Sequence, residues 1–310
     1  MLYVTYRQEG VGRSGHAFSD IFSAYIYGFL LGAEVLYDDS WGRQSIISSS
    51  SFLKHSAPSP ERFDCVVEIN NLREWSGLNF KQFSKVRKRI LKGCPSDPDK
   101  DTLVVLGGVC KIHPNMVFKW YQDGLIDSDL YTEKILPILR CLYYEDHKDG
   151  VIDGTVGIHI RRGDWCVIHK KKVAKYFGFD YYESLISEIH GRFPCLNFRV
   201  FCENENYDDI VPLGNLPNTE LNIGGESELS EHFNQLCRCE FLIPTTGFFS
   251  TAAAYLTRGK GVFISTRIKR AQPNAFNSYT HGIPNFHISR SIGDMVEDIG
   301  VVVGDKVSVV

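Results

Sequence analysis

No C-x-x-C pair occurs among the nine cysteines of this 310-residue chain, which are scattered from Cys65 to Cys239. Zinc ribbons and dithiol redox motifs need that spacing because two thiolates must reach one centre, so neither is expected. An odd count without framework spacing also argues against a disulfide-stapled secreted domain and favours a reducing compartment. Cys65, Cys110 and Cys202 instead sit within apolar stretches, where a thiol behaves as a small hydrophobe. Neither sign of charge is in excess: 34 Lys+Arg face 37 Asp+Glu, a formal −3. No general attraction to nucleic acid or anionic membrane follows, and any phosphate binding has to be local. Long apolar runs are missing too. The greasiest stretch, 21–33, contains Ser23, Tyr25 and Tyr27 and is too short to span a bilayer. The N-terminus reads directly as a strand, without the basic-then-apolar order of a signal peptide. A soluble, cytoplasmic protein with no stable membrane insertion is expected.

What is present is ample core material, 43% hydrophobic residues including 20 Phe and 15 Tyr, in a length that suits two domains. Strand-like and helix-like patterns alternate. In the first half, 2–6, 35–37, 65–69 and 103–106 read as strands. Residues 16–31 carry apolar side chains at helical spacing and end at Gly32, a fitting stop. Residues 80–91 form a basic helix, and 116–144 read as helical with a break near Gly124. The polar stretch 145–150 suits a linker. A second series follows, with strands at 155–160, 198–202, 221–223, 241–243 and 262–264 and helices at 181–189, 229–237 and 248–256. For residues 266–310 no element is assigned, and Arg267, Lys269 and Arg270 there read as a solvated basic loop or as further phosphate contacts. Alternation of this kind predicts an α/β protein of two αβα sandwiches with parallel sheets flanking a cleft.

The most informative stretch is Val156-Gly157-Ile158-His159-Ile160-Arg161-Arg162-Gly163-Asp164. An apolar strand runs straight into two arginines, and in open α/β sheets ligands collect at the carboxyl ends of strands. Alternation puts His159 and Arg161 on one face and Arg162 on the other, where it could pair with Asp164 and hold the turn. Arg161 presents a planar fork suited to a diphosphate. The plainer alternatives are a strand-end ion pair beside a buried histidine, or an Arg162-Gly163-Asp164 adhesion tripeptide, which needs an exposed hairpin tip. Near the end, Thr245-Thr246-Gly247 ahead of a helix offers N–H groups and hydroxyls to a diphosphate, or simply caps the helix. Two Asp-x-Asp pairs, Asp127/Asp129 and Asp97/Asp99, raise a metal-dependent transferase as a competing reading, but both lie in polar turns rather than after a strand.

His159-Ile160-Arg161-Arg162-Gly163-Asp164 resembles the His-x-Arg-Arg-x-Asp signature of the α1,2- and α1,6-fucosyltransferases and their protein O-fucosyltransferase relatives. Gly10-Val11-Gly12-Arg13-Ser14-Gly15-His16 is similar to that superfamily's opening Gly-x-Gly-Asn-Gln loop. Phe233 to Ile243, then Thr245-Thr246-Gly247-Phe248-Phe249-Ser250 with Ala252-Ala253-Ala254-Tyr255-Leu256, resembles its late donor-binding segment. The three blocks fall in the family's order. The resemblance implies a GT-B fold, with an acceptor-side Rossmann-like domain over 1–148 and a nucleotide-sugar-binding one over 149–310. It implies an inverting glycosyltransferase that moves L-fucose from GDP-fucose to a glycan hydroxyl and needs no divalent metal or other cofactor. The donor set it implies is Gly12, His159, Arg161, Glu231, His232, Thr245, Thr246, Gly247, Phe249 and Ser250, with Arg161 stabilising the leaving diphosphate and Arg162 and Asp164 supporting it. His169 falls where the α1,6 branch places a carboxylate base, and is otherwise part of the solvated run 169–172. His16, Asp20 and Asp38 fall on the acceptor side.

Two departures qualify the likeness. His16 replaces the loop asparagine. His232, with Glu231 beside it, stands where relatives carry an aspartate that accepts the guanine N1–H and N2–H. Ionised oxygens only accept, so a carboxylate suits that edge and a histidine does not do so equivalently. A UDP-sugar donor such as UDP-xylose is therefore an alternative, as is a non-catalytic sugar-nucleotide-binding module. The missing anchor points to a bacterial or viral type of enzyme.

Overall fold

Two wholly parallel sheets organise the chain, one in each of its two units, Met1–His147 and Lys148–Val310. The computed structural model describes residues 1–7, 14–36, 60–69, 79–107, 112, 114–146, 148–162, 178–203, 207–225, 228–245, 248–265, 283 and 285–304.

In the first unit, β1 (Leu2–Arg7), α1 (Ser14–Leu31), β2 (Glu34–Val35), β3 (Cys65–Ile69), α2 (Phe80–Gly93), β4 (Thr102–Gly107), α3 (Pro114–Gln122) and α4 (Leu136–Asp146) follow one another. The sheet order is β2-β1-β4-β3. Its central strands bury both faces, as a covered parallel sheet requires: Val4 and Thr5 of β1 are buried, and Leu103 to Leu106 of β4 fully so. Gly32 ends α1 at φ +66°, with Ala33 N–H donating to Gly28 O and Gly32 N–H to Phe29 O, a Schellman closure. The same device ends α3. Gly124 sits at φ +66°, and Leu125 N–H and Gly124 N–H donate to Trp120 O and Tyr121 O. The expected helix 116–144 is therefore two helices, the second opening with a π-helical turn, Tyr131–Ile135. Strand β2 is shorter than expected, although Leu36 N–H still donates to Val4 O.

The second unit runs β5 (Ile152–Ile160), α5 (Phe179–Arg192), β6 (Asn197–Glu203), a 3-10 turn (Asp208–Asn215), β7 (Thr219–Gly224), α6 (Leu229–Arg238), β8 (Cys239–Ile243), α7 (Phe248–Leu256), β9 (Gly261–Ser265), β10 (Phe286–Ser289) and α8 (Ile292–Gly304). Sheet order is β10-β9-β8-β5-β6-β7. Counted from its own first strand, this is the 3-2-1-4-5-6 order of dinucleotide-binding sheets, and the order reverses between β5 and β8. Val156, Ile158, Ile160, Phe198, Val200, Leu185, Ile186 and Ile189 form the fully buried centre.

Strand β10 and helix α8 lie in the stretch that gave no element from sequence. Met295, Val296 and Ile299 seal α8 onto the core, and Ser291 and Asp294 exchange side-chain-to-backbone hydrogen bonds of 3.1 and 3.0 Å at its start. The α/β class and parallel sheets expected from the pattern are what the structure shows. Among the described residues no helix is long and apolar enough to cross a membrane.

Candidate donor site at the sheet's switch point

The carboxyl ends of β5 and β8 meet where the strand order reverses, with Ile158 in register with Ile243. Helices leave opposite faces of a doubly wound sheet at such a point, so a crevice opens there. From β5 come His159 and, just past the strand, Arg161. From β8 come Pro244 and Thr245. The His159 Nδ1 and the Thr245 Oγ1 are 3.1 Å apart, and both residues are buried.

Burial pushes the His159 imidazole down to a pKa of about 3, with the nearby Arg161 guanidinium and the His232 imidazole opposing a positive charge there as well. Such an imidazole is neutral at physiological pH. It adds no charge of its own and holds the Thr245 hydroxyl by a single hydrogen bond. The ring lies 5.3 Å from that of Phe249, which lies 5.4 Å from Phe233. Ser250 Oγ donates to Thr245 O at 3.0 Å, tying the first turn of α7 back to the end of β8. The N-terminus of a nine-residue helix is thereby fixed beside the switch point, where its N–H groups favour an anion.

Arg162 turns the other way, as strand alternation predicts, and is 1% exposed. Its Nη2 and Nε donate to Asp209 Oδ2 and Oδ1 at 2.9 and 3.2 Å, a two-pronged pair. Its backbone N–H donates to Glu203 Oε2 at 3.1 Å. The carboxylate seen bracing Arg162 is therefore Asp209, on the 3-10 turn after β6. Asp164, expected in that role, lies outside the described residues. Asp209 and Glu203 escaped the sequence reading because only the β5–β6 pairing brings the two strand ends together.

Glu231 and His232 are neighbours on α6 with different surroundings. Glu231 is exposed, and its Oε1 accepts from Gln235 Nε2 at 2.8 Å. His232 is buried against Phe201, ring to ring at 5.4 Å, and closes over Gly224, where a Cβ would come within 2.5 Å of its Cε1. Burial lowers its pKa, against the opposing pull of Glu228 and Glu231. The second histidine thus stands over the carboxyl ends of β6 and β7.

The structure brings His159, Thr245, Phe249 and Ser250 together and leaves Arg161 half-buried just beyond β5. Gly12, Asp38, His169, Thr246 and Gly247 lie outside the described residues. His16 and Asp20 fall within α1, on a stretch whose side chains are likewise not described. Among the described residues no group of three or more His, Cys, Asp or Glu side chains could hold a metal ion. Asp97 and Asp129 serve turns: Asp97 Oδ1 accepts from Asp99 N–H at 3.1 Å, and Asp129 Oδ2 accepts from Thr132 Oγ1.

The model of glycosyl transferase family 11 matches residues 118–280. No curated protein sequence matches the chain. Among solved structures, a mutant of Arabidopsis thaliana FUT1 in complex with GDP is similar at a TM-score of 0.47 and 13% identity, covering 84% of this chain and 69% of that one. The apo form of POFUT1 is similar at a TM-score of 0.45 and 9% identity, covering 82% and 94%. POFUT1 in complex with GDP-fucose gives 0.43 and 10%, covering 83% and 95%.

Proposed function

The chain belongs to glycosyl transferase family 11, and from that premise we propose that it transfers L-fucose from GDP-fucose to a hydroxyl of a glycan acceptor, with inversion and without a divalent metal. The observation that carries this reading is the hydrogen bond between His159 and Thr245 across the switch point, with Arg161 immediately beyond.

In this mechanism the acceptor oxygen attacks C1 of the donor from the side opposite the diphosphate. The bond between C1 and the β-phosphate oxygen breaks, and its electron pair leaves with the nucleoside diphosphate. Charge grows on that oxygen, and Arg161 and the N-terminus of α7 stabilise it there. Thr245, held by the neutral His159 and by Ser250, fixes the loop ahead of that helix. The acceptor proton passes to a base in hydrogen-bond reach of the hydroxyl, for which His169 is the candidate on the donor side and Asp20 or Asp38 on the acceptor side.

A second reading follows from His232. A buried neutral imidazole offers one donor and one acceptor, and the exposed carboxylate of Glu231 is engaged by Gln235. Guanine presents two donors side by side, whereas uracil presents one donor between two acceptors, which suits His232 better. The same fold and chemistry would then serve a UDP-sugar such as UDP-xylose.

A thermal-shift panel in EDTA with GDP, UDP, GDP-fucose and UDP-xylose separates the two. A ligand that binds only the folded state raises the midpoint according to its concentration over Kd. A rise with GDP and GDP-fucose alone supports fucosyl transfer, and a rise with UDP and UDP-xylose alone establishes the second reading. No rise with any of them in EDTA, but a rise once Mg²⁺ is added, overturns metal independence.

A further inference from the structure

The near-neutral total charge conceals a segregated one. Helix α2 carries Lys81, Lys85, Arg87, Lys88, Arg89 and Lys92 and no acidic residue; taking those six cations from the chain's −3 leaves −9 on the remainder. Phe83, Val86 and Ile90 seat the helix on its unit, against Tyr27 of α1 and Trp120 of α3. Lys81, Lys85, Lys88 and Lys92 are spaced i, i+4, i+7 and i+11, so they line the crest opposite that buried side, about 16 Å long at the helical rise. All six cations are exposed, and among the described residues none is in an ion pair. Beside the crest Leu91 is 50% exposed, at a helical angle between Arg87 and Lys88. An ordinary solvated helix face alternates the two signs at i, i+4; here every such neighbour along the crest is a like charge, which destabilises the isolated helix. An anionic counter-surface removes that repulsion.

We propose that α2 is a peripheral docking face for an anionic lipid surface. Three features select lipid over other polyanions. The crest is made of lysines, mobile point charges that match a fluid array of headgroups rather than the bidentate geometry of one fixed phosphate. One side of it offers an apolar side chain, Leu91, to the headgroup boundary. The one aromatic residue between these lysines in sequence, Phe83, is buried on the opposite side, so the crest carries no stacking platform of the kind single-stranded nucleic acid uses. The proposal is independent of the donor reading, since α2 belongs to the unit that does not contain the switch-point site.

The test is vesicle co-sedimentation of the full chain with phosphatidylcholine vesicles with and without 30 mol% phosphatidylglycerol. Each lysine near such a surface contributes roughly fivefold to partitioning. The variant K81Q/K85Q/K88Q/K92Q is therefore expected to lose at least ~100-fold in binding to the anionic vesicles. K100Q/K119Q/K134Q/K148Q, which changes net charge equally at exposed sites elsewhere, should stay within about twofold of wild type. Raising salt to 0.5 M should release the wild-type protein, a measurement that needs no variant. Equal binding to neutral and anionic vesicles, equal losses in the two variants, or crest-dependent binding to a DNA oligonucleotide without vesicle binding would each overturn the proposal.

Discussion

The imidazole of His159 and the hydroxyl of Thr245 meet at 3.1 Å although the residues lie at the ends of different strands, β5 and β8. That contact spans the place where the sheet reverses its winding. Its two partners are positioned by the sheet, so the site inherits the rigidity of two strands buried over 155–160 and 239–243 rather than that of a loop.

The neutrality of His159 has a signature in stability. Its folded-state pKa is held near 3, below the ordinary 6.5, so the unfolded chain takes up a proton first as the pH falls. Stability from this group is full above about pH 6.5 and declines between 6.5 and the folded value by at most about 1.4 kcal/mol per pH unit. Urea unfolding at pH 7, 6, 5 and 4 should show a shallower decline for His159→Gln than for wild type. Parallel curves would mean that the native imidazole titrates normally.

Arg162 is buried while Asp209 is half-exposed, so loss of the carboxylate takes a two-pronged charged partner from a buried guanidinium. Asp209→Ala is expected to cost about 2–4 kcal/mol of unfolding free energy. It should also weaken donor binding, because the Arg162 side chain next to Arg161 loses the pair that holds it in place. A variant as stable as wild type would assign the bracing elsewhere.

The amino end of the same sheet has its own clamp. Glu240, 5% exposed, accepts from Gly154 N–H where β5 bulges and pairs with Lys260. Glu240→Ala should lower stability by about 2 kcal/mol, mainly by orphaning that N–H, since Lys260 reaches solvent. Because the clamp is at the end remote from the switch point, the Kd for nucleoside diphosphate in calorimetry should remain within twofold.

Arg161→Lys keeps the charge and loses the planar fork. Turnover of the nucleotide sugar should fall by about 100-fold with a smaller change in KM, the pattern of a group that acts most on the developing diphosphate charge. Near-wild-type turnover would remove Arg161 from the mechanism.

Much of this was legible in the residues. The strands read from apolar runs such as 103–106 and 241–243, because a parallel sheet covered on both faces buries both sides of its strands. Gly32 and Gly124 marked helix ends because both sit at positive φ. Strand-end logic put His159 and Arg161 at the carboxyl end of β5, and it turned Arg162 away from His159, as its pairing with Asp209 shows. The partner of Arg162 was not legible: Asp209 is close only through the β5–β6 pairing, which no local pattern encodes. Helix α8 was readable and went unread, for Ser291-x-x-Asp294 ahead of Met295, Val296 and Ile299 is a capping box on an apolar stripe. The opposite fates of Glu231 and His232 needed the structure, since both fit the first turns of one helix.

The most direct test of a donor diphosphate at the switch point is calorimetric titration of wild type and Arg161→Ala with GDP and with GMP, in EDTA. If Arg161 holds the β-phosphate, the substitution weakens GDP by about 50-fold or more and leaves the affinity for GMP within about threefold, in a variant that unfolds at the wild-type temperature. Equal GDP affinity in the two proteins would contradict the account and place the diphosphate elsewhere.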